Sequence, residues 1–231
     1  MTRVGIITGV RREADCLNHL PDKSNLVICI AGADPFRAGN LAAHVLTNGA
    51  DGVISFGLCG ALDPALEAGD LILANRVISS EGKAIACDPD WTGAIAERLG
   101  DQVTRADITL AFSSSIVTDP KRKRVLRANT GADAVDMESF AVGLAAKRGG
   151  KSFAVIRAVS DVASAKLPEW TDEMVNSAGG TDGLTLLKKL AAHPGDLGKL
   201  IALGRGGTRA LGALRQAAES LGPDFALTLG K

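Results

Sequence analysis

Residues 131–161, GADAVDMESFAVGLAAKRGGKSFAVIRAVSD, decide the fold. The run 152–161 is mostly apolar, as a strand buried on both faces is, and 133–137 reads as a short strand before it. Between them, 138–148 has the composition of an apolar helix, stopped at Gly149-Gly150. Strand, helix, strand is the repeating unit of a layered α/β protein. Two carboxylates, Asp136 and Glu138, stand at the first junction, where buried charge is costly without a partner.

The same alternation extends towards the N-terminus. Apolar runs at 3–9, 25–32, 52–57, 70–79 and 108–117 read as strands, with helices at 35–49, 91–100 and 121–129. The expected architecture is three-layer α/β, with a mixed, mostly parallel central sheet flanked by helices. The charged segment 121–129, KRKRVLRAN, reads as a surface helix with a solvated face. From about 171 the chain reads as helical. Residues 1–186 form the expected α/β domain, and 187–231 a helical C-terminal extension packed on it. From 187 onward there are seven basic and three acidic residues. Leu211, Leu214, Ala218 and Leu221 recur there at helical spacing, with Arg209 and Arg215 off that face.

Of the 231 residues 46% are hydrophobic and only 3% aromatic, so a large core must rest on Val, Ile, Leu and Ala. Basic and acidic residues balance at 26 each, which argues against a general nucleic-acid surface. No signal pattern precedes the first strand and no apolar run approaches a membrane span, so the expected location is cytoplasmic. Cys16, Cys29, Cys59 and Cys87 lack CxxC spacing and read as reduced, buried thiols. Three scattered histidines offer no metal cluster, and neither metal nor cofactor is expected.

Three carboxylates follow strands: Glu13 after the first, Glu138 after 133–137, and Asp161 at the end of 152–161. Each alone could be a helix-start carboxylate favoured by the helix dipole. In α/β sheets, however, ligands bind outside the carboxyl ends of strands. A Gly-rich stretch, SFGLCGAL (55–62), follows another strand, and Gly57 and Gly60 would let backbone approach a ligand. Asp136 faces away from Met137 and calls for a structural partner such as an arginine.

VGIITGVRREAD, SFGLCGALDPALEAGDLILA, AVDMESFA and VIRAVSDVA resemble, in order and spacing, the purine and uridine phosphorylase superfamily. The nearer likeness is to its methylthioadenosine/S-adenosylhomocysteine nucleosidase branch. GLCGAL, the AGADPFRAG stretch and the basic tail look most like its hopanoid-associated group, linked to removing adenine from adenosylhopane. The resemblance implies an N-ribosyl hydrolase acting on a 5′-modified adenosine, with a phosphate-dependent phosphorylase as the alternative. A non-catalytic nucleoside-binding protein ranks below both, because all three carboxylates are present.

By resemblance, Asp161 would protonate the leaving purine, held protonated by burial and oriented by Ser160, and Glu13 would activate water. Glu138 would accept hydrogen bonds from the ribose hydroxyls, with Met137 against the sugar. Ser115, Ile116 and Val117 would meet the purine. Relatives stack an aromatic there, a part that Phe112 or Phe140 could take. Gly57, Leu58, Cys59 and Gly60 would form a loop for the nucleophile, with Arg37 a candidate anion binder. Superfamily phosphorylases carry a phosphate-binding arginine and serine where this chain has Ser55 and Leu58, which favours water as nucleophile. The resemblance also implies a homodimer. A lipid-linked substrate would add peripheral contact of the segment 196–221 with the inner membrane.

Overall fold

The computed structural model describes residues 2–168 and 197–227. Eight strands and six α-helices are described, in the order β1 (Val4–Thr8), α1 (Arg11–Asp15), β2 (Leu26–Ile30), α2 (Pro35–Thr47), β3 (Gly52–Ala61), β4 (Leu71–Ile78) and β5 (Ala84–Ala86). There follow α3 (Pro89–Leu99), β6 (Val103–Phe112), α4 (Pro120–Thr130), β7 (Ala134–Asp136), α5 (Ser139–Gly149), β8 (Ser152–Asp161) and α6 (Leu197–Leu221). The segment 181–193, read as helical, and the domain boundary at 186/187 lie outside the described residues.

Local chemistry starts three helices alike. Asp34-Pro35, Asp88-Pro89 and Asp119-Pro120 each place a capping carboxylate before a proline in the first turn. The Asp accepts the next free backbone N–H groups, and Pro has no N–H to leave unpaired. Gly131 and Gly150 end α4 and α5 in the left-handed conformation.

The sheet is mixed and mostly parallel, as the apolar runs imply. β1 pairs in parallel with β2 and β3, β3 with β8, and β6 with β4 and β7. Antiparallel pairing joins β3 to β7, β4 to β8, and β4 to β5. The strands β3, β8, β4, β6 and β7 therefore close into a ring, which linear patterning does not reveal.

Side-chain alternation divides the core in two. Val53, Cys59 and Ala61 of β3 and Phe153, Val155 and Val159 of β8 pack with α2 and α5. Ile54 and Phe56 of β3 and Ala154, Ile156 and Ala158 of β8 pack on the other face with α3 and α6. The face expected on the tail is present: Ala210, Leu214, Ala217, Ala218 and Leu221 are buried in that second layer. The apolar surface that would have rested on lipid is thus inside the protein. Gly206 makes the close approach possible, since a Cβ there would run into the carbonyl oxygen of Ser160. Among the described residues no helix is long and apolar enough to cross a membrane.

Three sequence expectations need correction. The stretch Gly57–Gly60 is not a loop: β3 continues to Ala61, and Gly60 pairs with Asp161 of β8 and Val135 of β7. Each of these glycines has a ladder partner in β8, and Gly60 has a second in β7, which holds them extended despite their poor strand propensity. The strand expected at 108–117 ends at Phe112, where Ser113 Oγ turns to the Ser115 carbonyl (2.6 Å) and redirects the chain. The charged face of α4 is not wholly solvated. Lys121, Arg122 and Arg124 are exposed, but Lys123 is 1% exposed.

Candidate active site

Glu13, on the short helix α1, is buried and held by three backbone donors. Its Oε2 accepts from the N–H of Gly9 (2.7 Å) and Val10 (2.8 Å), and its Oε1 from Leu58 (2.8 Å). The bond to Val10 is the helix-start role that any carboxylate here could play. The bond to Leu58, forty-five residues away, is not. Burial pushes the Glu13 carboxyl up, opposed by the Arg157 guanidinium and these donors. Three of about four lone-pair positions are filled, leaving room for one more donor such as water.

Glu138 stands at the N-terminal boundary of α5, but its side chain does not cap the helix. Asp136 does so instead, accepting the Ser139 N–H (3.2 Å). A buried carboxylate at a helix start that the helix does not use is available for other work. Burial pushes Glu138 up to about 8, countered by Arg157 and reinforced by Asp136 and Glu13. The two glutamates meet at Gly9: a Cβ there would lie 2.8 Å from Glu138 Oε1 and 3.3 Å from Glu13 Oε2.

The sequence reading did not single out Arg157, though it expected an arginine beside Asp136. Arg157 is 1% exposed and occupies the same face of β8 as Phe153 and Val155. Its guanidinium pairs with Asp136 and donates to Ser55 Oγ (2.7 Å) and Ser139 Oγ (3.0 Å). Glu138 Oε2 lies 3.6 Å away. The signal available in the sequence was one arginine inside an otherwise apolar strand.

Asp161 lies at the far end of β8. Its carboxylate would sit 3.2 Å from a Cβ on Gly60, three residues along β3 from Gly57. At strand rise this puts it about 10 Å from the Glu13–Arg157 end. Ser160 Oγ is 2.7 Å from Asp161 Oδ1 and 3.1 Å from the Cys59 carbonyl. Lys123 of α4 pairs with Asp161 Oδ2 and donates to the Val162 carbonyl (2.8 Å). That cation was not foreseen. Burial is thus not the only feature of this carboxyl's surroundings, since a cation lies against it.

Met137 lies between Asp136 and Glu138 at the β7–α5 junction. Ser115, Ile116 and Val117 follow β6 as a half-buried segment, in which Val117 packs against Leu62, Ala111 and Val135. Phe112 at the end of β6 and Phe140 in the first turn of α5 lie together, ring centroids 6.0 Å apart. Arg37 is near the start of α2, its backbone N–H bonded to Asp34. Cavities of about 270 Å³, beside Asn75 and Thr92, and about 300 Å³, beside Thr47 and Arg148, contain none of the three carboxylates. Among the described residues, no group of three or more His, Cys, Asp or Glu could hold a metal ion. The cysteines are unpaired, and burial pushes Cys87 up to about 12.

The fold and the acidic strand ends define an α/β protein with the architecture of nucleoside phosphorylases and nucleosidases. The chain matches the phosphorylase superfamily over residues 23–182 and belongs to that family. The 5′-methylthioadenosine/S-adenosylhomocysteine nucleosidase of Marinomonas sp. (strain MWYL1) is 26% identical over 160 residues, covering 61% of this chain and 69% of that protein. The same-named enzyme from Neisseria meningitidis, solved with methylthio-immucillin-A, superposes with a TM-score of 0.73 at 17% identity, covering 96% and 99% of the two chains. Futalosine hydrolase of Helicobacter pylori gives 0.72 at 15% identity, covering 95% and 97%.

Proposed function

We propose that this protein is an N-ribosyl hydrolase that releases adenine from a 5′-modified adenosine. The meeting of Glu13 and Glu138 at Gly9, beside the Leu58 N–H, carries the reading. Breaking an N-glycosidic bond builds positive charge on the ribose, as in glycoside hydrolysis. Glu138 accepts hydrogen bonds from the ribose hydroxyls, with Met137 against the sugar. Glu13 takes a proton from the attacking water, and Asp161 with Ser160 serves the leaving purine. Ser115, Ile116 and Val117 line the base, and the Phe112–Phe140 pair supplies the aromatic surface. The names of the relatives support this class of substrate.

Water is favoured over phosphate as nucleophile. The Leu58 N–H, the donor a phosphate would use at Gly57–Gly60, is already given to Glu13. A phosphate dianion there would also face the Glu13 carboxylate, and like charges repel. The particular substrate proposed is adenosylhopane, converted to ribosylhopane, on the likeness of GLCGAL, AGADPFRAG and the basic tail to the hopanoid-associated group. The assembly proposed is a homodimer. The test is incubation with adenosine, methylthioadenosine and adenosylhopane, with and without phosphate, following free adenine. Release independent of phosphate is expected; strict phosphate dependence with ribose 1-phosphate as product would replace hydrolysis by phosphorolysis.

A further inference from the structure

Lys123 is the one fully buried residue of α4. Its neighbours Lys121, Arg122 and Arg124 face solvent, while Lys123 is 1% exposed. A lysine ammonium is buried only where charged or polar partners replace water. Lys123 has two: the Asp161 carboxylate and the Val162 carbonyl. It therefore reaches from α4 to the end of β8, where Ser160 holds the other oxygen of the same carboxylate. Asp161 is thus fixed from both sides, by a hydroxyl that orients it and a cation that carries a proton.

We propose that Lys123 is a positioning residue and proton reservoir for the leaving group, acting through Asp161. The inference rests on the hydrolase reading above. As the C1′–N9 bond breaks, its electron pair goes to the purine. Asp161 delivers a proton to N7 of the base and takes one from Lys123 Nζ, so the base leaves neutral and Lys123 ends as a neutral amine. Water adds its oxygen to C1′ and gives its proton to Glu13. Solvent exchange then returns a proton to Lys123 and removes one from Glu13, closing the cycle. An arginine could hold Asp161 in place but could not give up its proton, because its guanidinium does not deprotonate in proteins.

The test compares wild type, Lys123→Met and Lys123→Arg on methylthioadenosine and on 4-nitrophenyl riboside, whose leaving group departs without protonation. General acid assistance contributes about 10²- to 10⁴-fold. Lys123→Met is expected to lose kcat of that order on methylthioadenosine, with KM little changed, and to keep its turnover of the nitrophenyl riboside. Lys123→Arg should melt like wild type and remain slow on methylthioadenosine, so it carries the test should the Met variant not fold. Equal losses on both substrates, or full rescue by arginine, would reduce Lys123 to a structural pin and overturn the inference. Wild type inert towards every riboside would overturn the hydrolase reading itself.

Discussion

Arg157 on β8 is paired with Asp136 on β7, although these strands lie on opposite sides of β3 and share no ladder. The guanidinium crosses β3 at Gly57. A Cβ there would collide with Arg157 Nη1 and lie 2.6 Å from Glu13 Oε1. The missing side chain lets a cation and three carboxylates assemble on one face of the sheet.

That pair should dominate the stability of the site. Removing one partner of a buried ion pair leaves the other uncompensated and costs about 3–5 kcal/mol. Asp136→Ala is expected to lower the free energy of urea unfolding by about that amount. Arg157→Lys should not restore what Arg157→Met loses, because an ammonium cannot reach Asp136, Ser55 and Ser139 together.

Glu138→Gln should lose kcat/KM through weakened bonds to the ribose hydroxyls. A hydrogen bond to a charged group is worth about 1.5–3 kcal/mol, or about 10- to 150-fold. The same variant should discriminate less than wild type between a ribosyl substrate and its 2′-deoxy analogue. Unchanged adenine release would remove Glu138 from the sugar site.

Glu138 also sets a pH dependence. With its carboxyl pushed up to about 8, mainly by burial, it is protonated in the free protein below that pH. Affinity for a non-hydrolysable ribosyl analogue should therefore rise with pH up to about 8 and level off above it. Stability should move the opposite way. Unfolding lets this carboxyl ionise near its ordinary value of 4.5, so the unfolded state binds fewer protons between there and about 8. Stability falls as pH rises through that window. Glu138→Gln should flatten both profiles, read by titration calorimetry and by urea midpoints.

Two glycines of α6 should respond with opposite signs. Gly204 faces open space, so Gly204→Ala should stabilise by about 0.5–1 kcal/mol through helix propensity. Gly206 lies against the Ser160 carbonyl, so Gly206→Ala must push α6 off β8 and should cost about 1–3 kcal/mol. Thermal melts of the two variants check both.

The sequence by itself determined the layered α/β class and the acids at the strand ends, because apolar periodicity and chain punctuation are local properties. β8 was legible over its whole length, 152–161, since a continuous apolar run needs no context. Asp136 was legible as a charge in need of an arginine, because a carboxylate inside a buried strand must be paired. Tertiary structure alone decided which arginine, since Arg157 arrives across β3 through a gap left by Gly57. It also decided that Gly57–Gly60 is strand, because pairing with β8 along the stretch, and with β7 at Gly60, outweighs glycine's weak preference. And it turned Lys123 inward while Lys121, Arg122 and Arg124 stay in water. A run of four like charges is uniform as a string. Only the packing of α4 against the end of β8 makes one of them different.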